Sequence, residues 1–508
     1  MLRLRSLVVT VSIGCLALFA ANCTSPAAAQ ASADLDPASR GTHLFLRHCA
    51  VCHGADGEAD TLAANLLLPR PTAFRHGLFK LVSHKNGMPS DDDLVATLRR
   101  GMPGSTMMAW DWLPEADLRA LAGVVRQLAV RGRATAIERT AAVTGQALTP
   151  AQARELAEQQ LRPGAPVETG APRPVDAALV AAGETLFQRH CASCHGADGR
   201  GLPGAAEWPT DGTWLRPRDF TAGYLRGGAT HQELACRIRA GMPGAHMPPV
   251  ELAVAETEAL VAYVQNLIPD AARRHHVQWR RTLRVERSAA LPADGDAAGF
   301  DRIEAVRLPV APLWWRAGAA NEVWLRAAHD GEQLLLQLEW ADGSRDERPR
   351  PEAVLGDGVA VQFARTEEPP LFAMGSTDAP VAIWRWQTFD PKSAAGQLDL
   401  TSSWPHTGID VPIGVRSPAA RGEAIEVTGV GTASGAVGSG RPLQVAARWR
   451  DDRWTVTFRR ALHAGGPDEV DFKLGTPTLF ALAVWNGSLD PNVASKVITT
   501  WHVLELQR

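Results

Sequence analysis

Residues 41–57 read GTHLFLRHCAVCHGADG, and residues 183–199 read GETLFQRHCASCHGADG. Near-identity at an offset of 142 marks an internal duplication, which continues downstream: GMPGSTMMAW from Gly101 returns as GMPGAHMPPV from Gly241. Each copy closes on an apolar stripe at helical spacing, Leu118, Leu121, Val125 and Leu128 in the first and Leu260, Tyr263, Val264 and Leu267 in the second. Two helical units are therefore expected, over residues 38–131 and 178–270. The linker between them, 132–177, should hold a short helix opened by Thr149-Pro150. From Arg162 to Pro174 it turns Pro-rich and reads as a spacer.

The chemistry lies in Cys49-Ala-Val-Cys52-His53 and Cys191-Ala-Ser-Cys194-His195. Both fit the pattern of c-type haem attachment, in which two thiols add to the vinyl groups and the following histidine ligates iron. Two intervening residues place both thiols under one porphyrin edge and turn the next imidazole toward the metal. Zinc ribbons bring their CxxC pairs within about 15–20 residues, whereas Cys52 and Cys191 stand 139 positions apart. A thiol redox motif would not need a following histidine in both copies. Cys236, the remaining cysteine downstream of the leader, aligns with Ala96 on a predicted helix and reads as a small buried residue.

Beyond residue 300, after a linker at 271–299, the character of the chain changes. No cysteine follows Cys236, and 11 of the 16 tryptophans fall between Trp314 and Trp501. The period becomes two: Leu334, Leu336, Leu338 and Trp340 share one face of a strand, with Gln333, Gln337 and Glu339 on the other. Val359, Val361 and Phe363 alternate likewise, as do Trp454, Val456 and Phe458. The expected fold is thus multidomain, with two all-α units followed by an all-β sandwich over 300–508.

The 508 residues are enough for about three domains. With 52 Lys plus Arg against 55 Asp plus Glu, no strong field draws the chain to nucleic acid, and 21% charged residues is too polar for many membrane spans. Arg3 and Arg5, the apolar run Leu7–Ala21 and the small residues of 26–30 form a secretory signal peptide over 1–30, cleaved after Ala29 or Ala31. That implies a periplasmic protein with no transmembrane anchor after cleavage.

The two helical units resemble class I cytochrome c domains. The resemblance implies a sixth iron ligand from a loop before the last helix, and alignment of the copies selects Met107 and Met247, with Met108 a neighbour that leaves the first choice open. It also implies a glycine of the first helix packed on the last helix. Gly183 and Tyr263 fit this pattern, whereas Gly41 faces Val124. His/Met ligation raises the reduction potential and suits electron transfer.

The stretches 323–346, 357–364, 371–387 and 480–506 resemble the haem b (gamma) subunit of ethylbenzene dehydrogenase and related type II enzymes of the dimethyl sulfoxide reductase family. That resemblance implies one non-covalent haem b between Met374 and Lys496, although Ala494-Ser495 stand where the family has Gly-Arg. Lys392 and Lys473 are the other lysines of the region. A buried lysine is readily made neutral and can then offer its lone pair to iron.

Together these readings imply an exported, non-catalytic electron carrier with two covalent haem c groups and one haem b. Its partners would be a molybdenum catalytic subunit, an iron-sulfur subunit and a redox partner of the respiratory chain. An iron-sulfur cluster usually needs four cysteines, more than this chain has to spare. The alternative is a cytochrome c fused to a haem-free carbohydrate- or ligand-binding sandwich.

Overall fold

The computed structural model describes residues 35–508 except 37, 66, 202–205, 208–213, 216, 222–224, 269–279, 295, 314–319, 347–355, 368, 370–374, 376–378, 389–421, 428–442, 464–469 and 489–495. The signal peptide, Met374 and Lys392 lie outside the described residues.

In the first unit, helix α1 (Arg40–His48) begins where the Ser39 hydroxyl accepts from the Thr42 amide, and it runs through Cys49 into the single turn α2 (Ala50–His53). Helix α3 (Asp91–Arg100) opens on a capping box between Ser90 and Asp93. The closing helix α4 spans Glu115–Thr144 and ends at Gly145 in the left-handed region. All four residues of its expected stripe are buried. It continues well past residue 131 because the short helix α5 (Pro150–Gln160) gives it something to pack against: Ala153, Ala157 and Leu161 share one apolar cluster with Val130 and Ala134 of α4. Thr149 caps α5 and Pro150 opens it.

The segment read as a spacer is strapped to both units. The amide of Val167 donates to the Ser83 carbonyl and that of Lys85 to the Ala165 carbonyl, both at 2.9 Å. At 2.9 Å, His231 Nε2 donates to the Thr169 carbonyl. A Pro-rich sequence lacks regular internal pairing, so its main-chain groups are satisfied by neighbours instead.

The second unit repeats the plan with α6 (Ala177–His190), the turn α7 (Ala192–His195), α8 (His231–Ala240) and α9 (Val254–Leu267). A Cβ on Gly183 would run into the Ala259 carbonyl and lie 2.8 Å from Tyr263 Cβ. In the first unit a Cβ on Gly41 would lie 2.7 Å from the Ala120 carbonyl and 3.1 Å from Val124 Cγ2. The helices therefore touch through the glycine in both copies.

The C-terminal part is built from two sheets. Its strands are β1 (Thr282–Val285), β2 (Val306–Pro309), β3 (Ala311–Pro312), β4 (Glu322–His329), β5 (Gln333–Ala341), β6 (Gly358–Ala364), β7 (Val381–Gln387), β8 (Gly422–Val427), β9 (Gln444–Arg450), β10 (Arg453–Ala461), β11 (Thr478–Trp485), β12 (Val497–Ile498) and β13 (His502–Leu506). Among the described residues one sheet is eight-stranded, ordered β8-β7-β6-β11-β12-β3, with β13 joining β11 to β1. The other is five-stranded, ordered β9-β10-β5-β4-β2. Strand β1 falls within the stretch read as linker and pairs in parallel with β13.

Leu334, Leu336, Leu338 and Trp340 of the five-stranded sheet share one apolar cluster with Val359, Val361 and Phe363 of the eight-stranded sheet. Trp384 of β7 meets Phe458 of β10 at 6.2 Å between ring centroids. The eight-stranded sheet carries a second apolar face, with Ala360, Ala364, Ile383, Ala481 and Trp501. Strand ends of both sheets are tied by buried carboxylates. Asp357 accepts from Asp346 N, Trp454 Nε1 and Gly487 N, while Asp342 accepts from Ser344 and from Asn486 Nδ2.

Candidate functional site

Each CxxCH motif forms one helical turn, and this local geometry gathers its three reactive side chains. The amides of Cys52 and His53 donate to the Cys49 carbonyl at 3.1 and 2.9 Å, and those of Cys194 and His195 donate to the Cys191 carbonyl at the same distances. Gly54 and Gly196, at φ of 77° and 75°, then turn the chain sharply away. None of the four cysteines is in a disulfide. Burial pushes the Cys49 and Cys52 thiols up to about 12 and Cys191 up to about 11, so they are un-ionised at neutral pH.

The imidazoles are oriented in the same way in both units. His53 Nδ1 donates to the Thr72 carbonyl at 3.0 Å, and His195 Nδ1 donates to the Arg218 carbonyl at 3.1 Å. Phe74 stacks on His53 and Phe220 on His195, each with ring centroids 4.6 Å apart. Holding the proton on Nδ1 leaves the Nε2 lone pair for a metal. Burial lowers both histidines, His53 to about 4, so the neutral ligand form prevails.

These four partners do not stand out in the sequence, although Arg-Pro-Thr-Ala-Phe at 70–74 and Arg-Pro-Arg-Asp-Phe at 216–220 repeat one pattern.

A cavity in the first unit brings Cys49, Cys52 and His53 together with Met102, Met107 and Met108. Its walls are largely apolar, with Phe45, Phe79 and Leu121 among them. Met107 is half-buried, and its carbonyl accepts from the Met102 amide at 2.8 Å. In the second unit Met242 donates to the carbonyl of the half-buried Met247 at the same 2.8 Å. The two methionine loops thus share a main-chain hairpin, consistent with the sequence alignment of the copies. Two cysteines on one turn, an imidazole with an available Nε2, a thioether and an apolar cavity suit a c-type haem. Cys236 is buried on α8, 7% exposed.

Family models match both units. Residues 36–123 match the model for cytochrome c oxidase, cbb3-type, subunit III, and residues 180–267 match the cytochrome c model. The two helical units are cytochrome c domains. Cytochrome c domains carry covalent haem c and transfer electrons, which places this chain among electron-transfer haem proteins. Residues 421–492 match the ethylbenzene dehydrogenase model, so the sheet-rich part carries a domain of that kind.

A Haloferax mediterranei protein named as a respiratory nitrate reductase heme subunit is 23% identical over 218 residues, 42% of this chain and 67% of that one. The Cbb3-type cytochrome c oxidase subunit CcoP of Rubrivivax gelatinosus is 34% identical over 101 residues, 20% of this chain and 29% of that protein. Among solved structures, a reducing HAO-like protein complex of Kuenenia stuttgartiensis aligns over 46% of this chain and 96% of its own, at 28% identity and a TM-score of 0.37. A family 9 carbohydrate binding module of Caldicellulosiruptor kristjanssonii aligns over 45% and 97%, at 11% identity and a TM-score of 0.26.

The first cytochrome c domain also meets the β-rich part. A smaller cavity between them is lined by Met108, Trp110 and Trp112 on one side and by Leu479 and Trp501 on the other. His48, Trp110 and Trp112 form a ring cluster with centroids 5.2 to 6.1 Å apart, and the Arg280 guanidinium sits 4.9 Å over Trp112. Met108, 3% exposed, borders both cavities.

Lys496 precedes β12, half-buried, with its amine 5.5 Å from the Trp485 ring centroid. It has no carboxylate partner among the described residues, and burial pulls its pKa down to about 8. Lys473 is exposed. A desolvated amine over an aromatic ring fits an iron ligand better than an exposed one.

Proposed function

We propose that this chain is an exported electron-transfer subunit with three one-electron sites. Two are covalent haem c groups, on Cys49, Cys52, His53 and Met107 and on Cys191, Cys194, His195 and Met247. The third is a non-covalent haem b held by Met374 and Lys496 in a β-sandwich. The domains are a signal peptide at 1–30, a first cytochrome c domain at 38–131 whose last helix runs on to Thr144 into the 132–177 linker, a second at 178–270, and a haem b domain at 300–508 that also takes strand β1 from the 271–299 linker. The bound haems supply reversible one-electron chemistry, with a soft thioether favouring the ferrous state.

The observation that carries this reading is the duplicated CxxCH turn with its histidine proton held by a main-chain carbonyl. Around it the protein's own groups keep the imidazole neutral and oriented. The shared apolar cluster of the two sheets supports the sandwich, and the amine of Lys496 supports a haem ligand there.

The chain acts as a conduit and turns over no substrate itself. Its resemblance to molybdoenzyme haem subunits, and the nitrate reductase heme subunit among its relatives, support a periplasmic partnership with a molybdenum catalytic subunit and an iron-sulfur subunit. Among the described residues no helix is long and apolar enough to cross a membrane.

The test is a haem count on native protein. Acidified acetone should extract one haem b, and mass spectrometry of the denatured polypeptide should show two haem adducts. Fewer than two adducts, or no extractable haem, contradicts the corresponding part of the reading.

A further inference from the structure

Among the described residues, the cavity around Cys49, Cys52 and His53 is lined by three cations, Arg70, Lys80 and Arg226, and by no aspartate or glutamate. Two of these belong to the first cytochrome c domain. Arg226 comes from the second, in the loop preceding α8. It reaches across because that loop and the first turn of α8 are clamped to the first domain: Arg100 Nε donates to the Arg226 carbonyl at 3.3 Å, and Arg100 Nη1 pairs with Glu233 Oε1 at 2.9 Å. Arg218 lies alongside, its guanidinium donating to the Pro103 carbonyl at 3.4 Å.

The electrostatics of Arg226 are unusual. Its Nε is shut off from solvent without a hydrogen-bond partner, and its guanidinium has no carboxylate partner among the described residues. Arg218 adds a like charge nearby. A guanidinium stays protonated in proteins, and a buried charge is costly unless it is paired. Burial accordingly lowers the Arg226 pKa to about 10. What the site calls for is an anion.

Position within the repeat agrees. RPTAFRHGLFK at 70–80 and RPRDFTAGYLR at 216–226 align end to end, so Lys80 and Arg226 are equivalent residues. Each copy supplies a cation after the phenylalanine that stacks on its histidine, and in the first cavity both cations converge.

We propose that Arg226, supplied by the second cytochrome c domain, binds a propionate carboxylate of the haem in the first domain, making that haem site a shared product of the two domains. This rests on the reading that Cys49 and Cys52 carry a haem. Bidentate pairing of guanidinium with carboxylate is strong and directional. A cation held there disfavours the ferric state, which carries one more positive charge than the ferrous state, and so raises the potential of the first haem.

The experiment compares the full-length holoprotein with Arg226→Gln, Arg226→Lys and, as an exposed control, Arg200→Gln. Two covalent adducts are first verified by mass spectrometry, and the c haems are then titrated. Arg226→Gln should lower the midpoint of one c haem, Arg226→Lys should recover most of that fall, and Arg200→Gln should change neither. Two intact adducts with unchanged potentials in Arg226→Gln overturn this proposal alone, as does an equal fall at both haems. Fewer than two adducts in the unmodified protein overturn the haem reading and this proposal with it. Should Arg226→Gln not fold, Arg226→Lys replaces the two-nitrogen fork by one donor nitrogen, so the propionate bending band in its resonance Raman spectrum should shift. An unshifted band overturns the proposal.

Discussion

The imidazole of His195 donates from Nδ1 to the main-chain carbonyl of Arg218 at 3.1 Å. Because the acceptor belongs to the backbone, the side chain at that position is free to do something else. In the first domain the equivalent carbonyl belongs to Thr72. In the second it belongs to an arginine whose guanidinium contacts the methionine loop of the other domain at Pro103. One residue thus orients the histidine of one site and touches the loop of the next.

The covalent sites should be separable. Replacing Cys191 and Cys194 by alanine is expected to remove one of two haem adducts and leave the other, because the motifs sit on different apolar clusters, although Ala240 of α8 packs into the first. Mass spectrometry of the denatured variant checks this, and loss of both adducts would argue against independent attachment.

Met107→His and Met247→His should each lower one c-haem potential, within the ~0.8 V range that axial ligands span. Potentiometric titration and the methionine-to-iron charge-transfer band are the readouts. If Met107→His leaves the band intact, Met108, which borders the same cavity, becomes the ligand.

Lys496→Ala and Met374→Ala should each perturb the extractable haem and leave both c haems unchanged. The half-buried Lys496 amine over Trp485 has no counterpart at the exposed Lys473. Optical spectra of the acetone extract and of the residual polypeptide report the two classes separately. An unaltered haem b after Lys496→Ala would direct attention to Lys392.

Gly183→Ala should destabilise the second domain more than Gly41→Ala destabilises the first. The added methyl on Gly183 collides with the Ala259 carbonyl, whereas on Gly41 it meets Ala120 O at 2.7 Å. Overpacking costs roughly 1–3 kcal/mol, offset in part by the ~1 kcal/mol alanine gains over glycine in a helix. Denaturant titration followed at the haem absorbance measures the difference.

Burial, with Asp357 and Asp346 nearby, raises the Asp342 carboxyl to about 7 from its ordinary 3.8. The folded state therefore binds more protons than the unfolded state between those values. Stability of the β-rich part should decline as pH rises from about 4 to 7 and stay lower above that. Asp342→Asn keeps an acceptor for Ser344 and Asn486 and should flatten the decline. Tryptophan fluorescence during denaturation across that window checks it, and an equally steep slope in the variant would exclude Asp342 as its source.

Whatever depends on neighbours a few residues away is written in the order of the residues. Two cysteines and a histidine at i, i+3 and i+4 form one helical turn, so the attachment geometry was legible from spelling alone. The stripes of Leu118 to Leu128 and of Leu334 to Trp340 were likewise legible, because helices and strands repeat at different periods.

Which main-chain carbonyls hold His53 and His195 depends on long-range packing, since Thr72 and Arg218 are chosen by where a loop returns. That packing also fastened the Pro-rich strap to Ser83 and Lys85, drew β1 from an apparent linker into the sheet, and carried Arg226 across a domain boundary. These contacts join residues far apart in the chain. They are set by how folded units dock and by the need to partner backbone groups and charges removed from water, which no local period encodes.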